Sequence, residues 1–131
     1  MNSEGKNNLD KNEQLYQVLN ELKQEGNFQG IVLSYRNGEP ICKIFNDKIN
    51  YIDGPELSSM CASVLESSNN LREAVGQEKL TKIVAELDSY VLIIIQCDKY
   101  VFLIFIADYQ SHVTEILDSI EKYQKKIIFL Y

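Results

Sequence analysis

Apolar residues along this chain follow two rhythms: one recurs every three to four positions, the other forms short and nearly unbroken runs. From about Leu9 to Glu25, the residues Leu15, Val18, Leu19 and Leu22 keep helical spacing, and Gly26 is expected to stop that helix. In residues 28–45, FQGIVLSYRNGEPICKIF, two apolar runs flank Asn37-Gly38, a turn signal because both positions tolerate positive φ. Ile31, Val32 and Leu33 are consecutive, so the first strand of this hairpin needs cover on both faces. Pro40 opens the second strand, which suits the edge of a sheet.

The stretch DGPELSSMCASVLESSNNLREAVG predicts the clearest helix. Asp53 or Gly54 can cap it, Pro55 fits its first turn, and Glu56 lies three residues after Asp53. Leu57, Met60, Cys61, Val64, Leu65 and Leu71 are expected to form its apolar face, and Gly76 to close it. Beside that face run Ser58, Ala62 and Asn69, short side chains that would let a partner helix come close. Three strands follow, KLTKIVAEL, YVLIIIQC and YVFLIFIA, with tight turns at Asp88-Ser89 and Asp98-Lys99. The first keeps polar Lys82 and Glu86, as an edge does; the other two are almost wholly apolar and belong at the centre. A last helix from about Gln110 carries Val113, Ile116, Leu117, Ile120 and Tyr123 on one face. The terminal IIFLY, with Ile127, Ile128 and Tyr131 in phase, is expected to continue the packing.

Residues 1–8 read as a short disordered polar arm and residues 9–131 as one domain. The order helix, hairpin, helix, three-stranded meander, helix specifies a three-layer α/β/α sandwich. Its antiparallel sheet has about five strands, with the middle helix on one face and the terminal pair on the other.

Charge narrows the partners. A net charge of −6 with scattered basic residues argues against nucleic acid and against an anionic membrane surface. No apolar run reaches the length of a membrane span, and the polar N-terminus has no signal-peptide core, so insertion into a membrane is not expected. Cys42, Cys61 and Cys97 are odd in number and lack CxxC spacing, which argues against a disulfide framework and for a reducing cytoplasm.

Chemistry is scarce. Neither G-x-x-x-x-G-K-[ST] nor G-x-G-x-x-G occurs, so no phosphate-binding loop and no cofactor are implied. His112, the single histidine, has Asp108 and Glu115 nearby and would serve as a base or pH sensor, against the plainer reading of a solvated helix residue. The cysteines fall where small hydrophobes belong, with no second ligand close enough in sequence for a metal. Arg36 and Arg72 are weighed as a finger for a nucleotidase against ordinary surface. Glu66, Glu73, Glu78 and Glu86 are too dispersed for a catalytic pair. The expectation is a protein that is not an enzyme.

The segments FQGIVLSYRNGEPI, ELSSMCASVLESSNNLREAVGQEKLTKIVAEL and YVLIIIQCDKYVFLIFIA, in that order, resemble the roadblock (dynein light chain) family over about Leu15 to Ile120. The likeness is to a small stand-alone member of the bacterial or archaeal kind. It implies a homodimer in which the strand after the middle helix pairs across a two-fold axis, with the two middle helices side by side. Ser58, Ala62, Leu80, Lys82, Val84 and Glu86 would then form the dimer interface. It further implies a non-catalytic scaffold or regulator of a small Ras-like GTPase, docking on Ser59, Ser63, Glu66, Asn70 and Glu73. No arginine finger carries over to Arg36 or Arg72. The competing readings are a profilin-like, monomeric actin-binding module and a small enzyme with an unfamiliar site. A longin-like trafficking domain shares the layers but begins with its sheet.

Overall fold

A computed structural model describes the backbone from Ser3 and side chains from Lys11, in each case to Tyr131. Helix α1 spans Ser3–Glu25, strands β1 and β2 span Gly30–Tyr35 and Pro40–Phe45, and a 3-10 turn covers Asp47–Ile49. Helix α2 spans Gly54–Ala74, strands β3, β4 and β5 span Ile83–Glu86, Val91–Gln96 and Val101–Ala107, and helix α3 spans Val113–Leu130. All strand pairs are antiparallel, in the order β2-β1-β5-β4-β3. Of the arm expected over residues 1–8, residues 1–2 lie outside the described part, and from Ser3 the chain is helical.

The three layers are as the pattern requires. On one face α1 and α3 bury Leu15, Leu19, Leu22, Ile116, Tyr123 and Ile127 against Ile31, Leu33, Leu103 and Phe105. On the other, α2 lays Leu57, Cys61 and Leu65 on Val32, Ile94, Phe102, Ile104 and Ile106. Alternate residues of β1 and β5 thus serve different cores, and this explains their unbroken apolar runs: every residue of β5 is buried.

Local chemistry sets the boundaries. Asp53 caps α2, its Oδ1 accepting from the Glu56 N–H at 3.0 Å, and Pro55 sits in the first turn where no amide partner is needed. Gly76, at φ +75°, closes α2; its N–H donates to Glu73 O, and that of Gln77 donates to Arg72 O. The left-handed cap of α1 is Asn27, at φ 51°, and not Gly26, whose lack of a side chain makes room for the Phe28 ring. In the first hairpin only Gly38 uses positive φ, at +96°. Asn37 contributes its side chain instead, Oδ1 accepting from the Glu39 N–H at 3.0 Å.

Three expectations need correction. Met60, Val64 and Leu71 do not join the core face of α2; they are exposed, and Ser58 and Ala62 lie against the sheet with Leu57, Cys61 and Leu65. The bulky Ile and Phe side chains of the sheet fill the layer, so the helix approaches through its short residues. β3 is shorter than Leu80 to Leu87. The Gln96 carbonyl, which a longer β3 would have engaged, accepts instead from Gln124 Nε2 of α3 at 3.1 Å. In the terminal segment Ile127 is buried, whereas Ile128 and Phe129 are exposed. Tyr131 donates its hydroxyl to Asp98 in the β4–β5 turn.

Candidate functional site

Of the residues weighed for chemistry, Arg72 and His112 are held in structural contacts. Arg72 is only 22% exposed; its Nη1 donates to Gln77 O at 2.9 Å and its Nε to Asn69 Oδ1 at 3.3 Å, so it fastens the end of α2. Arg36 sits in the hairpin turn, with its N–H on Tyr100 O. His112 precedes α3; its backbone N–H donates to Gly26 O, and its Nδ1 lies 3.2 Å from Glu25 O, which joins the start of α3 to the end of α1. Burial pushes the Cys61 thiol up to about 11, and burial with the neighbouring Asp98 charge pushes Cys97 up to about 12. Neither supplies a thiolate near neutral pH. Among the described residues no three His, Cys, Asp or Glu side chains converge on a metal position. None of their helices is long and apolar enough to cross a membrane.

What the fold leaves open is a surface. β3 is an edge strand, and Val84, Ala85 and Glu86 are exposed. The Leu87 N–H donates to Tyr90 O at 2.9 Å across the β3–β4 turn. Antiparallel pairs alternate, so Ile83 and Ala85 direct their backbone groups to β4, and Val84 and Glu86 direct theirs away from the sheet. Met60, Val64 and Leu71 of α2, with Val75 at its C-terminal cap, form an exposed apolar row between 45% and 68% accessible, whose Leu71–Val75 end lies beside this edge. Their spacing of four, seven and four residues keeps them on one side of the helix. A shallow cavity of about 390 Å³ joins row and strand, lined in part by Leu71, Val75, Leu80 and Ile83.

Of the interface residues expected from sequence, Val84 and Glu86 lie on this edge, and Leu80 and Lys82 lie just before it. Ser58 and Ala62 are buried within the chain, and among the described residues Ser58 Oγ has no hydrogen-bond partner. The docking set Ser59, Ser63, Glu66, Asn70 and Glu73 is exposed on the outer side of α2. Ser59 also backs the hairpin turn, so closely that a Cβ on Gly38 would come within 2.8 Å of its Cα. The row of Met60, Val64, Leu71 and Val75 was the feature missed. The signal was the breadth of the α2 apolar arc, wider than one sheet contact covers.

No curated protein sequence matches the chain. Among solved structures, the gliding protein MglB of Thermus thermophilus superposes with a TM-score of 0.80 at 13% identity, over 92% of this chain and 90% of that one. MglB of Myxococcus xanthus gives 0.80 at 20% identity, over 90% and 89%. A Roadblock/LC7 domain from Streptomyces avermitilis gives 0.68 at 17%, over 85% and 92%. The sequence model of the Roadblock/LC7 domain matches residues 14–107, from the middle of α1 to the end of β5. The chain belongs to the Roadblock/LC7 family.

Proposed function

We propose that this protein is a non-catalytic, cytoplasmic scaffold or regulator of a small Ras-like GTPase, and that it acts as a homodimer. The observation that carries the reading is the unpaired edge of β3 together with the exposed row Met60, Val64, Leu71 and Val75, whose Leu71–Val75 end borders it. An open edge invites another strand, and an apolar row of this length on a surface helix invites a second apolar surface. A two-fold axis beside β3 brings both halves together at once: strand on strand, and row on row. The dimer interface then comprises Leu80, Lys82, Val84 and Glu86 with the α2 row. The likeness to MglB supports the fold of such a dimer subunit, and membership of the family supports a GTPase as the second partner.

Once the two α2 helices lie side by side, their polar outer surfaces form one platform. Ser59, Ser63, Glu66, Asn70 and Glu73 of each copy are its exposed positions. Light scattering on a sizing column across a dilution series tests the dimer. A mass near twice 15.1 kDa is expected, and a monomer at every concentration would overturn the reading. Small GTPases from the same genome are then screened for binding and for a change in GTP hydrolysis. Loss of binding on Glu66→Lys with Glu73→Lys is expected, with the dimer retained.

A further inference from the structure

We infer that β3 encodes the register of its own pairing: two copies align antiparallel about Val84, which sets Lys82 of each copy against Glu86 of the other. This rests on the dimer reading above and specifies both its partner, a second copy of this chain, and its alignment.

The backbone limits the choices. Val84 and Glu86 present their N–H and C=O groups outward, and the Lys82 C=O, trans to the Ile83 N–H across one peptide plane, points the same way. A symmetric pair must set outward groups against outward groups and keep each side chain on its own face of the sheet. The axis must therefore pass through a residue and not between two, and Ile83, Val84 and Ala85 are the centres that keep most of the strand paired. At Ile83 it places the Lys82 ammonium opposite Val84. At Ala85 it places the Glu86 carboxylate opposite Val84, and the lysine reaches only Asp88, which lies in the turn beyond the strand.

The axis at Val84 satisfies every position. Val84 meets its own copy, apolar on apolar. Ile83 meets Ala85, a large side chain against a small one, on the face that carries α2; Ile83 packs there beside the α2 core. Lys82 meets Glu86 at both ends, and neither has an ion-pair partner among the described residues of its own chain. The sequence Lys-Ile-Val-Ala-Glu is thus self-complementary when reversed. Directly opposed unlike charges favour a pairing and like charges oppose it, so the pattern also selects against an axis at Lys82 or Glu86, where two like charges would meet.

Charge reversal tests this in the full chain by the same dilution series. Lys82→Glu sets two carboxylates against each other at each end, and Glu86→Lys sets two ammonium groups there. Each alone is expected to weaken self-association about tenfold or more. The double variant is expected to recover it, and an equimolar mixture of the two single variants to form the mixed dimer. Single variants that self-associate like the parent would overturn the register.

A cysteine placed at the axis gives a second reading. Cα atoms of a directly opposed, hydrogen-bonded pair lie about 5.5 Å apart, within disulfide reach. Val84→Cys is expected to cross-link two copies on oxidation, while Ile83→Cys and Ala85→Cys are not. A cross-link at position 83 or 85 in place of 84 overturns the register but leaves the dimer standing. A parent chain that is monomeric throughout overturns the dimer itself, and the register with it.

Discussion

β2 and β3 both end the sheet, yet they are finished in opposite ways. β2 is six residues long and half-buried, and it starts at a proline that has no N–H to offer a neighbour. The segment that follows it is tied back: Lys23 Nζ of α1 donates to Asn46 Oδ1, and Asn46 Nδ2 donates to Gln29 Oε1 at 3.2 Å. β3 has four residues, and only the first of them, Ile83, is half-buried, packed beside the α2 core. It borders the Leu71–Val75 end of the exposed α2 row. One edge opens with a proline and is tied back just past its end, and the other is left for a partner. The same contrast divides α2, where Leu65 is wholly buried and its neighbour Val64 is 45% exposed.

Substitutions on the two sides of each contrast should separate folding from association. Leu65→Ala empties a site with no exposure and is expected to cost about 2–5 kcal/mol, read as a fall in the urea midpoint. Val64→Ala is expected to leave the monomer's midpoint nearly unchanged and to weaken the dimer in the dilution series. Equal losses from both would erase the contrast. For the edges, Ile44→Pro removes an N–H that faces β1 and should cost about 3 kcal/mol or more of stability. Val84→Pro removes an outward N–H, so the fold should survive while self-association is lost. A dimeric Val84→Pro variant would place the interface elsewhere.

A smaller effect is expected at the turn that leads into β2. Gly38 combines φ +96° with a backbone approach of 2.8 Å from its would-be Cβ to Ser59. Gly38→Ala should therefore lower stability by about 1–3 kcal/mol without altering the dimer's dilution curve. A neutral result would mean that the hairpin and α2 separate easily there.

Much of this architecture was legible because it rests on local rules. The Asp53 cap, Pro55 in the first turn of α2, the tight turns at Asp88 and Asp98, and Pro40 on an edge each follow from the chemistry of one or two residues. Ile31, Val32 and Leu33 announced a strand covered twice, and they serve both cores. What failed to show was which side of α2 faces the sheet. Helical periodicity groups Leu57, Met60, Cys61, Val64, Leu65 and Leu71 into one broad arc, and only the bulk of the opposing strands decides which half is covered. The extent of β3 was hidden for a related reason. The donor that takes the Gln96 carbonyl next to its start, Gln124, lies far along the chain in α3.

An effect confined to alkaline pH should come from the thiols of Cys61 and Cys97, and its sign follows from their environment. Cys97 is pushed up to about 12, by burial first and by the Asp98 charge second, and Cys61 to about 11 by burial, from an ordinary 9.0. A group whose pKa is raised by folding holds its proton more tightly in the native state. Its contribution is complete below pH 9 and is lost as pH climbs toward the native values. The urea midpoint should therefore be insensitive to these thiols at pH 7–8 and should decline between about pH 9 and 12. Cys97→Ala should flatten that decline, because no thiolate then forms on unfolding. Cys97 follows the end of β4, half-buried against the α1–α3 core and outside β3, so the alkaline decline should be the same for the dimer and for the Val84→Pro monomer. A decline confined to the dimer would instead locate the titrating groups on the open edge of β3.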